Sequence, residues 1–206
     1  MSNLVVTIAR EYGSGGRTVG EMLAKKLGIG FYDKQIIHMA SDMSGIDVGL
    51  FGKVEGGDTV KSSLFNKTGL YKGDLIAPNE KGFISDENIF NYQAKVIEDL
   101  AEKESFVVVG RCVNHVLKDR PNTVRVFIHA PWEFRVRQSE GKIAGSRSDI
   151  EKFLQKDDKR KMEYYRRFAG GDWMDATNYD LCLNSGKLGF EKCVEAIEDY
   201  INLIQK

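Results

Sequence analysis

The chain has 206 residues, with 30 basic and 30 acidic side chains and a formal net charge of zero at pH 7. That length supports one core of ordinary size with a small insertion or lid, and excludes two large independent domains. The charge balance excludes a global field that would draw in nucleic acid or an anionic membrane, so attraction for phosphate must be local and directed at a small ligand.

The first element is an apolar run at residues 4–8, which predicts a strand buried on both faces. Glu11-Tyr12-Gly13-Ser14-Gly15-Gly16-Arg17-Thr18 follows, and then Val19, Met22, Leu23 and Leu27 at helical spacing, stopped by Gly28. Strand, glycine-rich turn and helix in this order read as a phosphate-binding loop, in which backbone N–H groups curl round an anion at a helix N-terminus. Gly16 and Thr18 fit the pattern G-x-x-x-x-G-K-[ST], whereas Glu11 replaces the leading glycine and Arg17 the lysine. The chemistry survives the replacement. Gly13, Gly15 and Gly16 allow close backbone approach, Thr18 offers a hydroxyl to magnesium, and Arg17 keeps a phosphate-directed cation.

A weaker strand at residues 29–32 leads to a helix predicted to begin at Asp33 and to carry Ile36, Ile37 and Ala40. Residues 43–82 are glycine-rich with little periodicity, an insertion that is either a functional lid or disordered. The next helix starts at Ser85 and Asp86 and places Ile89, Phe90, Val96, Ile97 and Leu100 on one face. A strand at residues 106–109 then runs into Gly110-Arg111, so that Arg111 sits at a strand end, available to a second phosphate. Another strand, residues 124–129, precedes a helix bearing Arg135 and Arg137. Ser148 to Glu151 reads as a capping box opening a long charged helix that continues through Tyr165 and Phe168 and ends at Gly170 and Gly171. Its cations include Lys156, Arg160 and Lys161, with Arg166 and Arg167 expected to be solvated surface charges. The last strand, residues 181–183, is followed by a helix expected to bury Phe190, Val194, Ile197, Ile201 and Ile204. Alternating strands and helices of this length predict βαβ units and a parallel sheet whose ligands gather at the carboxyl ends of the strands.

Cys112, Cys182 and Cys193 show no paired close spacing, which fits small core residues in a reducing compartment. With no signal-peptide pattern and no apolar run near the roughly 18 residues of a membrane span, the expected location is cytoplasmic, with no membrane partner. His38, His115 and His129 lack metal-ligand spacing and read as structural, and Trp132 and Trp173 read as packing before base-pocket residues.

Taken in chain order, the loop, Phe31-Tyr32-Asp33, Gly110-Arg111, Ala130-x-x-x-x-Arg135, the Asp-x-x-Arg from Asp157 to Arg160 and Tyr179-Asp180-Leu181-Cys182-Leu183-Asn184-Ser185 resemble the cytidylate kinase-like family of nucleoside monophosphate kinases. The resemblance spans nearly the whole chain except residues 43–82. It implies a single P-loop kinase domain over residues 1–206: a three-layer α/β fold with a five-stranded parallel sheet between helices. It further implies a monophosphate-binding insertion at residues 33–104 and an arginine-rich lid at residues 132–168. By the same resemblance, Gly13, Ser14, Gly15, Gly16, Arg17 and Thr18 bind ATP, Thr18 also touches Mg2+, and Arg17 follows the moving γ-phosphoryl group. Asp33, Arg111, Arg135, Asp157 and Arg160 hold the acceptor or clamp the lid, with Arg17, Arg135 and Arg160 as catalytic cations and CMP or dCMP as the implied acceptor. Cytidylate kinases carry lysine where this chain has Arg17, and Asp where it has Cys112. Asp158 to Lys161 is a competing register for the lid pair.

Two readings from different classes stand at this point. One is a kinase moving the γ-phosphate of ATP to a monophosphate, or to another small acceptor. A phosphate oxygen is already ionised at neutral pH, so the absence of a general base in the sequence is no obstacle. The other is a nucleotide-binding sensor or interaction protein with weak or lost activity, motivated by Arg17, because arginine is planar and bulkier than lysine.

Overall fold

The computed structural model describes residues 3–56 and 74–205. In chain order it runs β1 (Val5–Arg10), α1 (Gly16–Leu27), β2 (Gly30–Tyr32), α2 (Gln35–Ser44), α3 (Val48–Gly56), α4 (Asp86–Lys103), β3 (Phe106–Val109) and α5 (Val113–Val116). It continues through β4 (Thr123–His129), α6 (Trp132–Ser139), α7 (Arg147–Ala169), a 3-10 turn (Ala176–Asn178), β5 (Leu181–Asn184), α8 (Ser185–Leu188) and α9 (Phe190–Ile204). The strands form one parallel sheet in the order β2-β3-β1-β4-β5.

Period-two alternation of the strands sets up the three layers. Val6 and Ile8 point to one face and pack with Val19 and Leu23 of α1 and Val194, Ile197 and Ile201 of α9. Val5 and Ala9 point to the other and join Ile36 of α2, Ile89 and Ile97 of α4 and Phe168 of α7. With both faces covered, the central strands read as continuous apolar runs, as expected of parallel sheets. The edge strands β2 and β5 are only partly buried, and Cys182 on β5 is exposed where a core position was expected. Cys112 and Cys193 are buried as expected.

Several boundaries differ from the sequence expectation, each for a local reason. Strand β1 runs two residues further, because Ala9 and Arg10 continue the pairing with Phe127 and Ile128 of β4. Helix α2 starts at Gln35 rather than Asp33, whose carboxylate accepts from Arg17 Nε at 2.9 Å instead of capping the helix. The capping box of α7 is Ser146 with Asp149, not Ser148 with Glu151. Gly145, at φ 118, makes the turn that delivers the chain to Ser146, and Ser148 then falls within the first helical turn. In α9, Phe190 is half-buried and Ile204 exposed, and Cys193 takes part in the core instead. Arg166 is exposed as expected, but Arg167 is not a solvated charge: it pairs with Asp86 at 2.7 Å and Glu87 at 3.0 Å, tying α7 to the start of α4.

Part of the glycine-rich segment forms α3, and residues 57–73 lie outside the described residues. Helix α7 belongs to two clusters. Ile150 and Leu154 pack with Val136 of α6, whereas Tyr165 and Phe168 enter the main core. Its middle turns, around residues 157–161, are thereby held over the carboxyl ends of the strands. No helix among the described residues is long and apolar enough to cross a membrane.

Candidate active site

Helix α1 opens at Gly15 in the left-handed region, with no side-chain cap and no acidic residue in its first turn. The positive end of the helix is therefore left to an external anion. Close packing fixes the loop that leads to it. A Cβ at Gly13 would lie 2.5 Å from the Arg135 carbonyl, at Gly15 2.2 Å from Phe190, and at Gly16 2.5 Å from Arg10 Cβ. Gly13 and Gly15 also take φ of 78° and 79°, which other residues adopt only at a cost of about 1–2 kcal/mol. Ser14, fully buried, donates from Oγ to the carbonyls of Glu11 and Ile128, each at 2.9 Å, while its own carbonyl accepts from Ser185 Oγ at 2.6 Å. The loop is thus pinned to β4 and α8 before any ligand arrives.

Arg135 pins it from the other side. Buried on α6, it donates from Nε to the Tyr12 carbonyl at 2.8 Å, from Nη1 to Glu11 Oε1 at 3.0 Å and from Nη2 to Asp158 Oδ2 at 2.6 Å. Glu11 Oε2 accepts in turn from the Ala130 N–H at 3.0 Å. Glu11, the irregular leading position of the motif, is the carboxylate through which α6 and α7 hold the loop.

Beside the loop lies a cavity of about 430 Å³ lined by residues of the motif, including Gly13, Gly15, Gly16, Arg17 and Thr18. Thr18 is exposed at its mouth. Arg17 also borders it, with its side chain 60% exposed and held by Asp33 at 2.9 Å and Glu21 at 3.0 Å, over the ring of Phe31. A glycine cradle, uncapped helix amides, a free threonine hydroxyl and a cation form a donor set that fits a nucleotide polyphosphate with its magnesium ion.

A second, narrower cavity, of about 50 Å³, lies across the carboxyl ends of β1 and β3. Its floor is the turn Gly110-Arg111-Cys112, in which all three residues have positive φ, 80°, 59° and 54°. Two successive non-glycine residues in this region store strain of the kind that collects at functional sites. Arg111, buried, donates to the Asp33 carbonyl at 3.1 Å and to Glu55 of α3 at 2.8 Å, with a longer contact to Gln93 of α4 at 3.4 Å. Arg160 pairs with Asp157 at 2.6 Å and donates to the Glu55 carbonyl. Lys161 also pairs with Asp157, at 2.6 Å. Of the two registers, the structure pairs Asp157 with Arg160, and Asp158 serves Arg135 instead.

Electrostatics in this cluster are those of buried, mutually compensated ions. Burial works against the charged form of Asp157, but Lys161 and Arg160 overcome it and hold the carboxyl below its ordinary pKa. Burial and neighbouring Arg10 pull Lys161 down to about 8, with Asp157 and Asp158 opposing. Desolvation raises the Cys112 thiol well above the ordinary range, so at the position where a carboxylate was expected by resemblance the chain places a neutral group.

Of the residues expected at the site, Asp33, Arg111, Asp157 and Arg160 converge on the second cavity or its rim, and Gly13, Gly15, Gly16, Arg17 and Thr18 line the first, whereas Ser14 is buried beneath the loop and does not line it. Arg135 instead faces Glu11, Tyr12 and Asp158, with all three of its donor nitrogens engaged. Trp173 is buried and lines the second cavity, whereas Trp132 sits against Arg135. Arg10, Glu55 and Gln93 were not anticipated. Arg10 had a usable signal, since it follows an apolar run directly and strand ends are where ligands gather. Glu55 lies in a stretch without periodicity and had none.

A sequence model of the cytidylate kinase-like family matches residues 5–187. No curated protein matches the chain. Among solved structures, an uncharacterized protein from Eubacterium ventriosum is similar at 24% identity and a TM-score of 0.72, covering 97% of this chain and 99% of the other. A shikimate kinase from Bacteroides thetaiotaomicron is similar at 13% identity and a TM-score of 0.54, covering 97% and 98%. A sugar kinase from a Janibacter species gives 13% identity and a TM-score of 0.54, covering 97% and 95%. At these identities the structures share the fold.

Proposed function

The chain belongs to the cytidylate kinase-like family of phosphotransferases, and within it we propose that this protein transfers the γ-phosphate of ATP to CMP or dCMP with Mg2+. The observation that carries the reading is the adjacency of the two cavities: a glycine cradle at a helix N-terminus on one side, and a cluster of arginines, Arg111 buried and Arg10 and Arg160 half-buried, on the other, at the carboxyl ends of neighbouring strands β1 and β3. In this reading Gly13, Ser14, Gly15, Gly16, Arg17 and Thr18 bind the ATP phosphates, Thr18 reaches the magnesium ion, and Arg17 is the loop cation. Asp33, Arg111, Asp157 and Arg160 serve the acceptor side: Asp33 within residues 33–104, Asp157 and Arg160 within the lid at residues 132–168, and Arg111 in the turn after β3. Arg135 supports the chemistry by fixing the loop against α7.

Acceptor attack in line on the γ-phosphorus needs positioning and charge neutralisation and no protein nucleophile. The acceptor oxygen is already ionised, so no side chain has to remove a proton. The compartment in this reading is the cytoplasm.

A coupled ADP-release assay with ATP-Mg against CMP, dCMP, UMP, AMP, GMP, shikimate and pantothenate tests it, with Arg17→Ala as a control expected to lose roughly 2–4 kcal/mol of transition-state stabilisation. Turnover with CMP or dCMP is the expected result, and preferential turnover of a non-nucleotide acceptor would overturn the acceptor assignment. One observation favours a second reading, a nucleotide-binding protein of weak activity: Arg111 and Arg160 are already engaged by Glu55 of the same chain. Tight ATP binding without turnover of any acceptor would decide for it.

A further inference from the structure

The two cavities share two lining residues, Arg10 and Lys161, and both are cations. Arg10 ends β1, where its backbone pairs with Ile128. Glycines on two different elements make room for its side chain. A Cβ at Gly16 would lie 2.5 Å from Arg10 Cβ, and a Cβ at Gly110 would lie 2.2 Å from Arg10 Nη1. The guanidinium therefore passes between the phosphate loop and the strained turn that floors the second cavity. Lys161 comes down from α7 above it, donating to the Arg10 carbonyl at 3.3 Å and flanked by the rings of Tyr12 and Trp173 at 5.8 and 5.9 Å.

Arg10 differs from the other arginines around it. Arg17 is held by Asp33 and Glu21, Arg111 by Glu55, Arg135 by Glu11 and Asp158, and Arg160 by Asp157. Among the described residues, no carboxylate or carbonyl accepts a hydrogen bond from the Arg10 guanidinium, although Asp33, Glu55 and Asp157 lie near enough to favour its charge. Arg111 and Lys161 repel it. A half-buried cation pressed against other cations, with no protein acceptor on its guanidinium among the described residues, is favoured when an anion completes the set.

We propose that Arg10, with Lys161 beside it, is the cationic bridge that holds the γ-phosphoryl group of a bound nucleoside triphosphate between the two cavities. The proposal rests on reading the loop cavity as the nucleotide site, and it goes beyond the loop residues by giving the transferring group its own cations. As the bond from an acceptor oxygen to the γ-phosphorus forms, the bond from that phosphorus to the β,γ-bridging oxygen breaks and its electron pair leaves on the nucleoside diphosphate. The charge on the phosphoryl oxygens faces Arg10 and Lys161 throughout, whereas Arg17 stands at the outer mouth of the loop.

Calorimetric titration of the full chain with Mg2+ and either ADP or a non-hydrolysable ATP analogue tests the proposal in wild type, Arg10→Gln and Arg10→Lys. The wild type is expected to bind the ATP analogue more tightly than ADP. Arg10→Gln should lose at least about tenfold of that preference with ADP affinity nearly unchanged, and Arg10→Lys should fall between. Equal weakening of both ligands, or a preference that survives both substitutions, overturns the proposal. Should Arg10→Gln fail to fold by circular dichroism, the ratio in Arg10→Lys decides alone, an unchanged ratio being negative. If the wild type binds neither nucleotide, the nucleotide-site reading itself falls. Nucleotide binding with a γ-phosphate preference independent of Arg10 removes this proposal and leaves that reading standing.

Discussion

The two sides of the site are built by different means. On the loop side, a short contiguous run presents backbone amides, and the Ile128 carbonyl of β4 together with side chains from α6, α8 and α9 holds it rigid. On the other side the binding groups are mostly charged side chains gathered from α3, the turn after β3 and α7, joined by Gln93 of α4, and most of them are already paired with one another. A ligand entering the first cavity finds the helix amides uncapped, with Arg17 already held by Asp33 and Glu21. One entering the second must exchange its own anion for a carboxylate of the chain, so the two sides should respond to mutation in opposite ways: the first by losing order, the second by changing affinity.

Arg135→Met probes the loop side most severely. It leaves the Glu11 and Asp158 carboxylates facing each other in a largely buried site without their cation, and about 3–5 kcal/mol of folding stability should be lost in urea unfolding. A loss below about 1 kcal/mol would show that α6 and α7 hold the loop by apolar packing alone. Gly15→Ala should cost less, about 1–3 kcal/mol from left-handed backbone strain and displacement of Phe190, but should weaken ATP binding out of proportion to that loss. Adding Phe190→Leu should recover part of the stability and little of the binding, since the strain stays with the backbone. Full recovery of binding would mean that the ring, and not the dihedral, shapes the cradle.

The same contrast explains what could be read from the sequence. The loop is contiguous, and its glycines answer to dihedral angles and close approaches fixed within a few residues, so the tight turn into an uncapped helix at Gly13 to Thr18 could be read without any knowledge of the fold. Arg111 could be placed because a strand ending in Gly-Arg next to the loop strand brings it to the sheet edge. Glu55 could not, because its meeting with Arg111 depends on how α3 packs, and residues 43–82 carry no periodic signal. Two serines, 146 and 148, each precede an acidic residue by three positions, and only the turn at Gly145 selects the first. The lid pair was ambiguous by one residue for the same reason: Asp157 and Asp158 leave α7 in different directions, one to Arg160 and Lys161 and one to Arg135, a distinction set by helix rotation against α6.

Glu55→Gln sharpens the comparison from the acceptor side. Glutamine keeps the shape and an acceptor oxygen for Arg111, so the fold should hold, while the competing negative charge disappears. Steady-state kinetics should then show the acceptor KM falling by roughly threefold to tenfold with the ATP KM unchanged. A rise in the acceptor KM would instead place Glu55 in direct contact with the acceptor, as a group that reads a hydrogen-bond donor.

A pH dependence, small near neutrality, comes from Lys161, which lies on the boundary between the two sides. Burial first, then Arg10, lower its pKa to about 8, and Asp157 and Asp158 only partly compensate. As pH rises through that value the cation is lost from the wall common to both cavities, so the acceptor kcat/KM, which reports the free enzyme, should fall by about twofold at the midpoint and about tenfold for each further unit. Stability should move the other way. The folded chain gives up this proton before the unfolded chain, whose lysine titrates near 10.5, and so between the two values the unfolded state binds more protons and folding becomes more favourable with rising pH. Lys161→Arg should abolish both trends, because arginine keeps its charge throughout this range. Activity that falls in parallel with the thermal midpoint would trace the pH effect to unfolding and remove Lys161 from the shared wall, whereas opposite signs in the two measurements are what a desolvated lysine holding a transferring phosphoryl group requires.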